Sequence, residues 1–168
     1  NIETSKKGQY RIKDNFLAFW FRFVYPMRSF IESDHPEIAM TKLKTGFIPN
    51  HVGYVYEDIC RQKMWELNAQ GKLPFLFDRV GRWWGGKETE IDIVAIDTTD
   101  RSKIIFGECK FHQNVPMQLS ELHQLKEKAA VVPWGNANRD EYFALFCISG
   151  YSEDLQQLAQ EDSHLLLM

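Results

Sequence analysis

Two acids and a lysine occupy positions of a predicted β-hairpin where the strand pattern would bury a side chain. The stretch EIDIVAIDTTDRSKIIFGECKF, residues 90–111, contains two apolar runs joined by a polar turn. Because residues two apart share a face of a strand, Asp92 lies in line with apolar residues of the first strand. Glu108 and Lys110 lie in line with those of the second. The hairpin is therefore expected to be apolar near its turn and charged at its far end.

The register of the hairpin decides which of these charges meet. A reversal centred near Asp100 predicts four cross-strand pairs: Ile96–Ile104, Val94–Phe106, Asp92–Glu108 and Glu90–Lys110. Facing residues have Cβ atoms about 5 Å apart. Two carboxylates at that separation repel each other unless a cation lies between them or one of them binds a proton.

A divalent ion would relieve this repulsion, because Mg²⁺ or Mn²⁺ takes oxygen ligands that often include one or two carboxylates. Lys110 would then stand beside the attacking water or the scissile phosphate. The alternative is an ordinary solvated hairpin end, in which Lys110 pairs with Glu90. Gly107 directly before the acid favours the first interpretation, since it permits close backbone approach.

The surrounding elements predict a mixed α/β domain. A helix is expected within residues 52–72, followed by a strand in LPFLFDRVGRWWGGK and then the hairpin. A second helix is expected in VPMQLSELHQLKEKAAVV, and a buried strand in EYFALFCISG. The order over residues 53–150 is thus helix, three strands, helix, strand. The first helix is expected to bury a stripe formed by Val52, Tyr56, Ile59, Lys63 and Leu67.

Residues 1–50 are predicted to form a helical arm, separate from a domain over residues 51–168. The segment YRIKDNFLAFWFRFVYP begins a helix at the N-cap Asp14 and carries a stop signal at Pro26. Apolar side chains surround this helix on nearly all sides, which is typical of a helix buried on more than one side. It is either a core helix or a helix wedged against another domain.

Composition limits the classes of partner and compartment. The formal net charge of −3 provides no overall basic field for nucleic acid, so such binding would need a local patch or a partner domain. Cys60, Cys109 and Cys147 match no zinc spacing, which predicts buried, reduced thiols in a cytoplasmic protein. No apolar run is long enough to span a bilayer, so no membrane association is expected.

The hairpin and the helix before it resemble a known group of enzymes. EIDIVAI…IIFGECKF, preceded by YVYEDICR, is similar to the PD-(D/E)xK nuclease superfamily, which includes restriction enzymes. The resemblance implies a restriction-endonuclease-like core, with a mixed sheet flanked by helices. It also implies that Asp92, Glu108 and Glu57 hold Mg²⁺ or Mn²⁺, with Glu57 acting directly or through water. Lys110 would orient or activate the attacking water, and the products would be 5′-phosphate and 3′-hydroxyl ends.

A narrower resemblance covers nearly the whole chain. YRIKDNFLAFWFRFVYP followed by GECKF looks like the domain of unknown function found C-terminal to a family of archaeal and bacterial AAA-type ATPases. It implies that an N-terminal ATPase domain of the full-length protein is a partner of this domain. The sequence itself contains no GxxxxGK[ST] phosphate-binding loop.

Weaker candidates for nucleic-acid contact flank the hairpin. Arg79, Arg82 and Lys87 surround two tryptophans, and basic and aromatic side chains together suit a nucleic-acid strand. Gln124 and Lys126 lie on the second predicted helix. The simpler explanation for the first group is a strand and turn around a packed tryptophan pair.

Two functions of different classes follow from these patterns. The first is a metal-dependent phosphodiesterase that cleaves nucleic acid, with DNA as the expected substrate, as an appendage of an AAA-type ATPase. The second is a catalytically inactive nuclease-like fold that serves as an interaction or regulatory module. In the second case the aromatic arm docks onto the ATPase or onto a second copy of the chain.

Overall fold

The computed structural model describes residues 12–85, 89–135 and 138–168. The chain divides into two compact units, Asn1–Val52 and Gly53–Met168. Among the described residues, no helix combines the length and the apolar character that crossing a membrane requires.

The first unit is helical throughout its described part. Its helices are α1 (Asn15–Phe19), α2 (Arg28–Glu32) and α3 (Pro36–Phe47), with π-helical turns at Trp20–Val24 and Ile48–Val52 and a 3₁₀ turn at Tyr25–Met27. Asp14 caps α1 as predicted, because its Oδ1 accepts the Leu17 N–H at 2.8 Å. Pro26 does not end the helical path. It has no N–H to donate, and the path widens to a π turn and tightens to a 3₁₀ turn around it instead.

Aromatic side chains of this unit divide into a packed group and an exposed group. The packed rings have centroids 5.6–6.0 Å apart and belong to Phe19, Phe23, Phe47 and His51. The exposed group consists of Phe16, Trp20, Phe21 and Tyr25, which are 41–66% exposed. The expectation that this helix is buried on more than one side is therefore not met within the described chain.

The second unit is built on a five-stranded mixed sheet. Its elements are α4 (Gly53–Ala69), β1 (Arg79–Gly85), β2 (Thr89–Ile96), β3 (Lys103–Lys110), α5 (Leu119–Ala130), β4 (Asp140–Cys147), α6 (Glu153–Glu161) and β5 (Leu165–Leu167). The strands lie in the order β1-β2-β3-β4-β5. β2 pairs antiparallel with both β1 and β3, and the β3–β4 and β4–β5 pairs are parallel. The predicted order of helix, three strands, helix and strand is confirmed, while β5 was not predicted.

The two faces of the sheet carry separate apolar cores. On one face, α5 buries Leu122, Leu125 and Ala129. On the other face, α4 buries Cys60 and Met64. Cys109 and Cys147 are also buried and free, as expected from the sequence.

The stripe predicted for α4 is only partly correct, because Tyr56 packs against this core but other members do not. Ile59 is 53% exposed, and the buried line runs through Cys60, Met64 and Asn68 instead. Asn68 turns inward because its side chain both donates to and accepts from the backbone of Phe77, at 3.0 Å in each direction. A buried amide with two backbone partners thus orients the helix, and apolar periodicity gives no sign of it.

Candidate functional site

The hairpin register is as predicted near its turn, and the two strands then separate. Val94 pairs with Phe106, and the last β2–β3 pair in the described chain is Ile93–Gly107. Beyond it, β2 continues beside β1, and β3 continues beside β4. We call the gap between residues 89–92 of β2 and 108–110 of β3 the fork. Asp92 and Glu108 are the first residues of its two sides.

Gly107 brings the strands close together at the base of the fork. A Cβ atom on this residue would lie 2.9 Å from the Cβ of Ile93 and 3.1 Å from the carbonyl oxygen of Ala144. Only glycine fits this approach without movement of its neighbours. The small residue before the acid is therefore explained by backbone proximity.

A β-bulge lies at the same place. Between the pairs Gly81–Val94 and Trp83–Ile91, two residues of β2, Asp92 and Ile93, oppose only Arg82 of β1. At the bulge, Arg61 of α4 donates to the carbonyl oxygen of Asp92 at 3.1 Å. Bulges occur often beside active sites, because they redirect a side chain.

The separation of the two strands also corrects the two predicted pairs beyond it. Glu90 pairs with Trp84 of β1, and its carboxylate bonds Arg82 at 2.8 Å. Lys110 bonds Glu108 instead. The predicted Asp92–Glu108 and Glu90–Lys110 pairs are wrong as ladder pairs, because β2 and β3 form none beyond Ile93–Gly107 in the described chain.

Glu108 is a buried carboxylate held by two lysines. Its residue is 5% exposed, with Lys110 Nζ at 2.7 Å from one oxygen and Lys128 Nζ at 3.0 Å from the other. The pKa of Lys110 is raised, since attraction to Glu108 outweighs the effect of burial. Two elements, β3 and α5, therefore supply cations to one acid.

Asp92 stands in a different environment. Its Oδ2 accepts the Cys109 N–H at 2.9 Å, a donor that an unbroken ladder would direct to the backbone of β2. No lysine, arginine or histidine of the described residues forms an ion pair with it. Burial, and then the charge of Glu108, raise the pKa of Asp92 to about 6. Within the part of the chain that the structure describes, Asp92 is thus the carboxylate of the fork that forms no ion pair.

Glu57 projects from α4 beside the fork. It forms ion pairs with Arg82 and, at 3.7 Å, with Arg61. Burial raises its pKa, although both arginines act in the opposite direction. Its neighbour Asp58 is more exposed and pairs with Arg61. The inward direction predicted for Glu57 agrees with this placement, but its carboxylate is occupied by arginines.

The candidate residues from the hairpin and α4 are brought together to different degrees. Asp92, Glu108 and Lys110 meet at the fork, and the charge of Glu57 acts on Asp92 from the α4 side. Within residues 12–85, 89–135 and 138–168, no group of three or more His, Cys, Asp or Glu side chains is placed to hold a metal ion. The acid of the fork whose charge acts most strongly on Asp92 is Glu108.

The weaker candidates are scattered. Arg82 is engaged with Glu57 and Glu90, while Arg79 lies exposed at the start of β1. The exposed side of α5 carries Gln124 and Lys126. Lys87 lies outside the described residues.

Sequence reasoning missed Lys128 and Arg61. Lys128 follows buried Leu125 by one helical turn, so it borders the buried side of α5. Arg61 follows Glu57 by one turn on α4. A search for basic residues one turn from each buried or acidic position would have found both.

The second unit is a mixed α/β domain with a forked sheet and a charged cluster at the fork. The chain belongs to a family of archaeal and bacterial proteins of unknown function, whose model matches residues 20–129. An uncharacterized protein of Methanocaldococcus jannaschii is 36% identical over 142 residues, which cover 84% of this chain and 31% of that protein. The chain thus spans about a third of the length of this curated relative. No solved structure matches the chain.

Proposed function

We propose that the second unit is a Mg²⁺- or Mn²⁺-dependent nuclease of the PD-(D/E)xK type. The observation that carries the proposal is the pair Asp92 and Glu108 at the fork, where Asp92 lacks an ion-pair partner among the described residues and has its pKa raised to about 6. A buried acid that repels its neighbour is costly for stability, and such strained groups are common at functional sites.

Asp92 and Glu108 would hold the divalent ion. Hard cations take one or two carboxylates and complete their shell with water, so two acids are sufficient. The ion would supply positive charge that stabilises the phosphate during hydrolysis. Glu57 would join the shell only after release from Arg82, which makes a water-bridged role the simpler one for it.

The protein's own groups would perform the remaining tasks. Lys110, fixed on β3 beside Glu108, would orient the attacking water and neutralise charge that develops on the phosphate. Its raised pKa keeps the ammonium protonated at neutral pH, so it acts as a cation and hydrogen-bond donor. The expected products are 5′-phosphate and 3′-hydroxyl ends.

The substrate and partners are part of the proposal. We expect DNA as the substrate and an N-terminal AAA-type ATPase domain as the partner. The greater length of the Methanocaldococcus relative is compatible with additional domains in the family.

A second candidate function is a nuclease-like fold without catalysis that serves as an interaction module. It is favoured by the arginines that occupy Glu57 and by the lack, within the described residues, of a three-ligand metal cluster. The exposed aromatic side chains of the first unit would then contact the ATPase domain or a second copy of the chain.

Cleavage of plasmid and single-stranded DNA with Mn²⁺ separates these functions. We expect the wild type to cleave with Mn²⁺ and to be inactive in EDTA. Lys110→Ala should lower the rate by about a hundredfold or more, the scale of one lost transition-state contact. Lys63→Ala is the matched control, because Lys63 also pairs with a glutamate but on the exposed side of α4. Equal trace activity in wild type and Lys110→Ala would indicate contamination and would refute the nuclease.

A further inference from the structure

Lys128 supplies the fork with a second cation that the hairpin motif does not contain. It reaches Glu108 from α5, whose apolar residues share a core with Phe106 of β3. Lys110 and Lys128 are each 30% exposed at the side chain, while the carboxylate between them is 7% exposed. Both ammonium groups therefore border solvent and enclose one buried acid.

Four charged groups at the fork cancel one another in the absence of an ion. Asp92 and Glu108 are offset by Lys110 and Lys128, so the four groups together are neutral. A divalent cation on the two acids would give the group an excess of two positive charges. It would also repel the ammonium groups that hold the oxygens of Glu108.

We propose that Lys128 neutralises Glu108 in the ion-free protein and turns to the substrate phosphate when a divalent cation takes its place. The inference rests on the nuclease function proposed above. Lys110 is confined to the strand that carries Glu108, whereas Lys128 comes from a separate helix and has a flexible four-carbon side chain. The phosphodiester, with its single negative charge, would then offset part of the excess positive charge at the fork.

Titration calorimetry with Mn²⁺ at pH 7.5 tests the first half of this exchange. Lys128→Met removes the competing cation, so Mn²⁺ should bind roughly three- to tenfold more tightly, as expected for loss of one partly screened charge pair. Lys128→Arg keeps the charge and should remain within about twofold of the wild type. Lys63→Met removes a remote lysine and should behave like the wild type.

Binding of a short DNA duplex in Ca²⁺, measured over a range of salt concentrations, tests the second half. Loss of one phosphate contact lowers the slope of log affinity against log salt by about one. We expect this change for Lys128→Met and not for Lys63→Met. A purely structural role of Lys128 would leave the salt slope unchanged.

The outcomes separate the two proposals. Tighter Mn²⁺ binding together with a smaller salt slope in Lys128→Met supports the exchange. If the wild type binds Mn²⁺ and Lys128→Met changes neither quantity, the role of Lys128 is refuted while the nuclease proposal stands. If neither protein binds Mn²⁺, both proposals fail. If Lys128→Met is unfolded, Lys128→Arg takes its place in the test. This variant keeps the positive charge, so a salt slope smaller than that of the wild type would also contradict the exchange.

Discussion

Asp92→Asn should stabilise the ion-free protein. The asparagine retains an oxygen for the Cys109 N–H and removes the charge that burial and Glu108 disfavour. The pKa of Asp92 rises from 3.8 to about 6, roughly two units. Each unit corresponds to about 1.4 kcal/mol, so the ionised carboxylate costs up to about 3 kcal/mol at pH 7. We expect the variant to gain about 1–3 kcal/mol in free energy of unfolding.

The gain in free energy of unfolding of Asp92→Asn over the wild type should increase as pH rises. Because the folded state binds a proton more tightly than the unfolded state, the wild type loses stability as pH rises from about 4 to about 6. The advantage of the asparagine variant should therefore be constant above pH 6 and fall well below 1 kcal/mol at about pH 4. Urea unfolding in EDTA, followed by circular dichroism and tryptophan fluorescence, measures the free energy of unfolding of both proteins at each pH. A variant that is less stable at pH 7, or a gain independent of pH, would refute the reasoning.

Mn²⁺ should make the wild type more stable than Asp92→Asn, the reverse of the order in EDTA. The wild type should gain about 2.7 kcal/mol at an ion concentration a hundred times its Kd, and Asp92→Asn should gain little. The affinity of the wild type for Mn²⁺ should fall about tenfold from pH 7 to pH 5, as Asp92 takes up a proton. Calorimetry at both pH values provides the check, and a pH-independent affinity would exclude Asp92 as a ligand.

Other predictions concern the elements that hold the fork. Gly107→Ala should cost about 1–3 kcal/mol, because its Cβ would lie 2.9 Å from that of Ile93. Gly81→Ala is the control, because no atom lies within 4 Å of the added Cβ, and it should leave the free energy of unfolding nearly unchanged in the same urea experiment. Equal losses of stability in Gly107→Ala and Gly81→Ala would contradict the close-approach explanation. Asn68→Ala should cost about 2–3 kcal/mol, because it leaves the N–H and carbonyl of Phe77 without their partner. A loss below about 0.5 kcal/mol would mean that this amide does not orient α4.

The sequence predicted the hairpin well because two independent signals agree there. Two apolar runs and the polar turn between them place Val94 opposite Phe106, because the position of the turn sets the register of a hairpin. The bulge at Asp92 was not predictable, because one extra residue in a strand has no distinctive composition. The errors over Asp92–Glu108 and Glu90–Lys110 follow from the separation of β2 and β3 beside that bulge.

Long-range partners were the other limit of sequence reasoning. Asn68 faces inward because it bonds backbone groups nine residues away in the chain. Lys128 reaches Glu108 of β3 from a separate element, the helix α5. Periodicity reports which side of an element is apolar, but it does not report which polar residue a neighbouring element will satisfy. The charged residues of the fork could therefore be named in part, while their pairing required the structure.

Anomalous diffraction from a crystal grown with Mn²⁺ would examine the fork most directly. We predict a manganese peak between the carboxylates of Asp92 and Glu108, with Lys128 displaced from Glu108. A map without a peak at the fork, with both lysines still bonded to Glu108, would contradict a cation site there and leave a charged but non-catalytic sheet edge.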